Sequence, residues 1–408
     1  MDLTATPNAS EPRAWEQPGR WWPRLTAATE KLSAPVAVID IDALRHNAMD
    51  MLARAGGLPI RVASKSVRVR GVLDAVLRIP GYRGILSFSL AEALWLAEDH
   101  DDIVLGYPTV DRNALETLVK DETAAARITL MVDDIAQLDV IDAIAPAHRR
   151  APIRLAIDAD ASLRSGVIGH IGVRRSPLFT AAEVAALARQ VIRRPGFRLV
   201  GLQMYEAQIA GQGDAGADGA VIRRVQARSR SELLTRRAQI ADALIAIAPM
   251  EFLNGGGTGS LETTAADESV TEVSAGSGLL GGHLFDGYRA FRPAPASAFA
   301  FDVVRRPSAD IATVLGGGWI ASGPALESRQ PRAVWPEGLR MLSREGAGEV
   351  QTPLRGENAR ELRIGDRVWF RHAKSGEPAE RTDAFHLVDG DRVIDRLPTY
   401  RGEGKSFL

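Results

Sequence analysis

At 408 residues the chain has room for two or three domains, or for one α/β barrel of about 250 residues with a second domain beside it. A hydrophobic share of 45% with 25% charged residues marks a globular protein, and a net charge of −1 argues against nucleic-acid or membrane-surface partners. The absence of cysteine excludes disulfides, thiolate nucleophiles and Cys-ligated zinc.

Residues 1–33 read as a lead-in. The first twenty are polar and proline-containing, a loose tail whose end Trp21-Trp22-Pro23 pins to the body. They lack the apolar core of a secretory signal, and no run of about 18 apolar residues follows, so neither export nor a transmembrane helix is expected and the chain reads as cytoplasmic. PVAVID (35–40) is β-branched and predicts a strand, and Asp42 is placed to cap a helix over 43–54 that stops at Gly56-Gly57.

An alternation then begins. Strand-like runs fall at 60–64, 85–89, 102–106, 128–132, 153–158, 198–204, 250–254 and 270–275. Helical segments lie between them at 69–79, 90–99, 111–120, 134–145, 180–193 and 219–248, while the connection 255–269 is short and acidic. Eight strands alternating with helices predict a closed (β/α)8 TIM-type barrel over residues 34–290. Beyond it, ATVLGG, RVWFRHA, DAFHLVDG and DRVIDRL are spaced by Gly, Pro and Asp turns, which predicts a C-terminal mostly-β domain over 291–408.

In such barrels the chemistry sits at the C-terminal ends of the strands. The first of the eight runs leads to Lys65, and the lysine is conspicuous because the chain has 45 arginines and only five lysines. An amine can form a Schiff base once its pKa is lowered; a guanidinium cannot. Other strand ends carry Asp158 and Asp160 followed by Arg164, Tyr205-Glu206, the segment NGGGTGS (254–260) and Gly276-Ser277-Gly278. Glycine clusters on the last two strands let backbone amides and the hydroxyls of Thr258, Ser260 and Ser277 approach a phosphate. Each feature by itself also suits an ordinary loop or tight turn. Together they point to a phosphate-bearing aldehyde cofactor, pyridoxal phosphate.

Several ordered motifs carry a family likeness. AVIDIDALRHNAMDMLARAGG followed by a strand and Lys65 resembles the opening of the alanine-racemase-like, fold-type III pyridoxal-phosphate enzymes. IDADASLRSGV (157–167) resembles that superfamily's segment with an arginine near the cofactor's phenolic oxygen. GLQMYEAQIAG (201–211), NGGGTGS and EVSAGSG (272–278) are similar to the D-threonine aldolase and D-serine dehydratase branch. The likeness spans roughly residues 33–400. It implies a homodimer with an active site completed across the dimer interface. It further implies that Lys65 attaches the cofactor, Arg164 contacts it, Tyr205 packs near its ring or phosphate, and Thr258, Gly276 and Ser277 hold the phosphate.

The sequence departs from that branch in two places. Where the branch reads Arg-Pro-His-x-Lys-Thr-His-Lys, this chain has Arg61-Val-Ala-Ser-Lys65-Ser-Val-Arg68, without either histidine. Where the branch has a His-x-Cys or His-x-Asp pair for a divalent metal, this chain has His372 and Lys374, and a protonated amine is no ligand. Metal binding is therefore left open, with Glu377, Asp383 and His386 as remaining donors. The implied activity is a lyase acting on small D-amino acids: retro-aldol cleavage of a β-hydroxy substrate, or dehydration of the D-serine type. His372 is expected as the base for the β-hydroxyl and Lys374 as a cation in the metal's place, provided both lie on one strand face. The alternatives are a racemase, with Tyr288 or Tyr400 as second base, and a non-catalytic carrier of the cofactor.

Overall fold

The computed structural model describes residues 1–4, 13–166, 169–324 and 326–407. They fall into two compact units. One comprises Met51–Lys65, Pro80–Gly276 and Phe407, the other Met1–Asp50, Ser66–Ile79 and Ser277–Ser406. Among the described residues no helix is long and apolar enough to cross a membrane.

The first unit is the expected closed barrel. Its strands are β2 (Ile60–Ala63), β3 (Tyr82–Ser87), β4 (Ile103–Leu105), β5 (Ile128–Val132), β6 (Ile153–Asp158), β9 (Phe197–Met204), β10 (Phe252–Gly255) and β11 (Glu272–Ala275). They pair in parallel in that order, and β11 closes onto β2 through Val273↔Ile60 and Ala275↔Val62. ITLMV, the whole of β5, is buried, as expected where helices cover one face and the barrel core the other. Val104, Met131, Ala156, Val200 and Phe252 form one buried cluster with Leu86 packed on it. Gly201 is required here, because a Cβ at that position would sit 2.3 Å from the Phe252 ring. Below the rim, Arg61 of β2 is buried and held by Glu272 (2.7 Å) and Asp102 (2.8 Å). A guanidinium is tolerated in a barrel only with such paired carboxylates. Two short strands missed by the sequence reading, β7 (Leu163–Ser165) and β8 (Gly169–Ile171), form a hairpin in the connection after β6.

The second unit is built on a mixed sheet. It contains β1 (Val36–Asp40), β12 (Ser297–Ser308), β13 (Ile311–Leu315), β14 (Arg332–Trp335), β15 (Arg340–Met341), β16 (Gln351–Arg355), β17 (Arg367–Arg371), β18 (Ala384–Asp389) and β19 (Arg392–Pro398). β1 lies within the 34–290 segment by sequence, yet it pairs antiparallel with β12 and parallel with β18. The helix after β1, Ile41–Arg54, is capped by Asp40, whose Oδ1 accepts the Ala43 amide at 3.0 Å. Asp42, the expected cap, instead pairs with Arg45. The tryptophan pair lies on a helix, Pro18–Ala28, and both rings are buried; Trp22 packs near Trp369, whose Nε1 donates to Thr26. Of the expected loose tail, Leu3 is buried and residues 5–12 lie outside the described residues.

Candidate active site

β2 stops at Ala63 because the chain turns through a single 3-10 turn, Ser64–Ser66, whose buried Ser64 hydroxyl donates to the Leu86 carbonyl on β3. That turn puts Lys65 at the C-terminal rim of the barrel. Its Nζ donates to the Tyr107 hydroxyl at 2.8 Å, and it lies 5.3 Å from the centroid of that ring. Tyr107 follows the end of β4 and was not picked out from sequence. Its one signal is position, an aromatic with a polar tip just past a barrel strand.

Opposite β2 in the barrel order, β5, β6 and β9 bring a row of polar side chains to the same rim. Val132 pairs with Ile157, and Asp158 pairs with Gln203, so Asp133, Asp158 and Gln203 succeed one another across three strands. Asp133 is engaged by Gln137 at 2.7 Å. Burial pushes the Asp158 carboxyl up to about 7, with Asp133 and Asp160 adding to the rise and Arg175 opposing it. Gln203 is buried, and its Oε1 has no hydrogen-bond partner among the described residues. Tyr205 follows on β9's end; burial and the neighbouring Glu206 push its phenol up to about 12, so it stays protonated. The Arg175 guanidinium lies 5.5 Å from the centroids of both the Tyr107 and the Tyr205 rings.

Arg164 is on β7, where its Nη2 donates to Asp160 at 2.8 Å and its guanidinium covers the Phe179 ring at 4.1 Å. Asp160 also accepts the amide and hydroxyl of Ser162 at 2.8 and 2.7 Å. The charge of Arg164 is thus matched within its own loop. It lines a cavity of about 630 Å3 together with Ser165, His170, Arg174 and Arg175.

The glycine-rich loop after β10 is organised by Glu206, a strand-end residue to which the sequence reading assigned no role. Glu206 is buried and accepts hydrogen bonds from the Ser260 hydroxyl (2.7 Å), the Thr264 hydroxyl and the Gly256 amide (3.3 Å). Arg237 ties Glu206 (2.8 Å) to Asp267 (2.6 Å), all three nearly inaccessible to solvent. The Gly257 amide donates to Ser260 Oγ, and the Ser260 amide to the Gly257 carbonyl. The expectation that Ser260 and the amides around it cradle phosphate is therefore corrected: these groups hold the loop's own shape. Thr258 is also buried, and its carbonyl accepts from Arg54 Nη2 at 2.6 Å. At Gly276 a Cβ would lie 2.4 Å from the Ala63 carbonyl oxygen. That glycine is needed where β11 closes against β2, whatever binds nearby.

In the second unit, β17 ends at Arg371, so His372 and Lys374 lie beyond the strand and the expected alternation does not put them on one face. His372 is fully buried, and burial pushes its imidazole down to about 3. Its Nε2 is engaged by Ser375 Oγ at 3.1 Å, and that hydroxyl donates to the Ser277 carbonyl at 2.8 Å. Lys374 Nζ donates to Ser322 Oγ at 2.8 Å. Glu377 accepts the Ser322 amide, Asp383 pairs with Arg401, and His386 is half-buried on β18. A divalent ion does not fit the motif's pair: Ser375 engages His372 Nε2, and the second position of the pair is an amine, Lys374, which is no ligand while protonated. Among the described residues no three His, Asp or Glu side chains gather as a metal-binding group. Tyr288 and Tyr400 are buried in the same unit, Tyr288 against Phe285 and Phe291.

A parallel barrel with one scarce lysine at its rim, joined to a mostly-β unit, defines the alanine-racemase-like class of pyridoxal-phosphate enzymes. Residues 39–283 match the family described as alanine racemase, N-terminal domain, and the chain belongs to that family. A D-threonine aldolase of Arthrobacter sp. is 27% identical over 274 residues, 64% of this chain and 66% of that one, just under two thirds of the relative's length. The structure is similar to D-threonine aldolase from Filomicrobium marinum, with a TM-score of 0.75 at 20% identity over 91% of this chain and 96% of that one. It is also similar to D-threo-3-hydroxyaspartate dehydratase from Delftia sp. HT23, with a TM-score of 0.67 at 20% identity over 90% and 97% of the two chains. These likenesses show a shared fold.

The residues at the rim fit the family's cofactor. An amine stands at the end of β2, the Gln203 carbonyl oxygen is buried without a partner among the described residues, and the Thr258 hydroxyl borders a preformed glycine loop.

Proposed function

We propose that the protein is a pyridoxal-phosphate-dependent lyase that cleaves Cα–Cβ of small β-hydroxy D-amino acids. The observation that carries the reading is the Lys65–Tyr107 pair at the barrel rim, with an acid poised near neutrality, Asp158, across the mouth. Lys65 would hold the cofactor's aldehyde, and Thr258, with Gly276 and the following Ser277, its phosphate. When bound, the cofactor supplies an electron sink for the bond-breaking step.

The chain's own residues supply the proton transfers. Asp158, rather than the buried His372, is assigned the β-hydroxyl: its ionised carboxyl takes the O–H proton as the Cα–Cβ bond breaks and the aldehyde leaves. A group with a pKa near the working pH suits that task. Lys65 then returns a proton to Cα, giving glycine. Tyr107, its hydroxyl 2.8 Å from Nζ, orients the amine.

The same pair excludes Tyr107 as a racemase's second base. A second base must stand on the opposite face of a planar carbon from Lys65, which separates the two groups by roughly 6 Å or more. Tyr107 is far too close to Nζ for that role.

Incubation with D- and L-threonine, serine and alanine, with and without a chelator, tests the reading. Aldehyde plus glycine from D-threonine, unaffected by chelation, is the expected result. Keto acid plus ammonia indicates dehydration, an enantiomer indicates a racemase, and no product indicates a carrier; each would overturn aldol cleavage. Activity lost on chelation and restored by zinc or manganese would overturn the assignment of a metal-independent site.

The pH profile is a second check. Because Asp158 must be ionised to act, kcat/KM for cleavage is expected to rise through a pH of about 7 and level off above it. Asp158→Asn should lower the plateau by roughly a hundredfold or more and remove that inflection. An unchanged inflection in the variant would assign it to another group.

A further inference from the structure

The roles above leave one fully buried histidine, His372, without a task. Burial pushes its imidazole down to about 3, so at neutral pH it carries no charge to offer a substrate. A neutral imidazole can still fix a neighbouring hydroxyl. That neighbour is Ser375, itself buried, whose Oγ is engaged by His372 Nε2 at 3.1 Å and donates to the Ser277 carbonyl at 2.8 Å. The contact belongs to a row within the second unit, where Ser277–Leu284 runs against Arg371–Ser375. Arg371 Nη2 donates to the Gly281 carbonyl at 3.0 Å. The His283 amide donates to the His372 carbonyl at 2.8 Å, and the Leu284 amide to that of Ala373 at 3.4 Å. At Gly282 the two backbones come so close that a Cβ would lie 2.6 Å from the Ala373 carbonyl oxygen. One segment is thus moulded on the other, and the His372–Ser375 pair is the part of the mould that reaches Ser277.

A histidine that serves packing alone needs a hydrogen-bond partner, and any nearby carbonyl would do. Here the bond is passed through one hydroxyl to the main chain of the residue assigned to the phosphate. A peptide is planar, so holding the Ser277 carbonyl fixes the whole peptide to Gly278 and with it the ψ angle of Ser277.

We propose that His372 and Ser375 are positioning residues for the cofactor's phosphate, holding the Ser277 peptide in the shape that receives it. This rests on the assignment of Ser277 to the phosphate, and the test separates the two. Pyridoxal has the aldehyde of pyridoxal phosphate and lacks the phosphate. The ratio of its dissociation constant to that of pyridoxal phosphate therefore isolates the phosphate's share of binding. Both constants can be read from the absorbance of the adduct on the full-length protein freed of cofactor.

The wild type is expected to favour pyridoxal phosphate. In Ser375→Ala the ratio should fall by roughly tenfold, the worth of one hydrogen bond to a charged group, through weaker binding of pyridoxal phosphate with pyridoxal little changed. His372→Leu should lower the ratio in the same direction. His372→Gln, whose amide can still reach the Ser375 hydroxyl, should restore it, so the test does not depend on one variant folding. A purely structural role would weaken both compounds alike or move only the unfolding midpoint, and either result would overturn the proposal. So would an unchanged ratio in both Ser375→Ala and His372→Leu, which would leave the cofactor assignment standing. Equal binding of the two compounds by the wild type would remove the phosphate seat and the proposal with it. If the ratio responds as expected but no lyase product forms with any substrate, the reaction assignment falls and the positioning role stands.

Discussion

Lys65→Ala is expected to yield a folded protein that no longer attaches the cofactor covalently and has lost activity by on the order of a thousandfold or more. The side chain is exposed at the end of its turn, so its removal costs the fold little, within about 0.5 kcal/mol by the usual range for surface positions. The wild type, reconstituted with pyridoxal phosphate and reduced with borohydride, should carry the label on the peptide containing Lys65. With only five lysines in the chain, the mapping is direct. A variant that still takes up borohydride-fixed cofactor, or a label found on Lys31, Lys120, Lys374 or Lys405, would remove the central assignment. Gly276→Val, by contrast, would be a poor probe of cofactor binding. The Ala63 carbonyl stands where its side chain would go, so a loss of affinity would report a disturbed barrel closure.

The second large effect concerns stability. Arg237→Ala should destabilise the protein by about 3–5 kcal/mol, because Glu206 and Asp267 would both be left charged and buried without their cation. The midpoint of urea unfolding should move accordingly. Combining Arg237→Met with Glu206→Gln and Asp267→Asn should recover part of the loss, since the uncompensated charges are then gone. Because Glu206 also holds Gly256 and Ser260, cofactor affinity should fall in Arg237→Ala even under conditions where the variant is fully folded. A shift in stability below about 1 kcal/mol would mean that the three side chains are not the coupled unit their geometry describes.

Much of the architecture was legible in the sequence because the barrel strands are short apolar runs at regular intervals, each followed by a helical period. β5 as ITLMV and β9 within residues 198–204 announce themselves. The rim lysine was legible for a different reason, scarcity against a background of arginine. The site's remaining parts depend on burial and on pairing across long stretches of chain, which residue types do not encode. Ser260 reads as a phosphate ligand in any glycine loop until Glu206 is seen beneath it. His372 reads as a base because imidazole titrates near neutrality; full burial and its bond to Ser375 remove that property. Asp158 was noticed as a strand-end acid, but its elevated pKa comes from burial and from Asp133 just past the end of β5.

The Glu206–Arg237–Asp267 cluster also bears on when, during folding, the loop after β10 takes its shape. Its members lie 30 and 31 residues apart along the chain, on three successive segments of the barrel. Contacts between such distant segments form only after the intervening loops have closed. Lys65 is delivered early, on the strand that β11 must later meet to shut the ring. The glycine loop waits for Asp267, just before that last strand. On the proposed roles, a growing or refolding chain would possess Lys65 well before the loop that would seat the phosphate, and cofactor capture would be one of the closing events of barrel assembly.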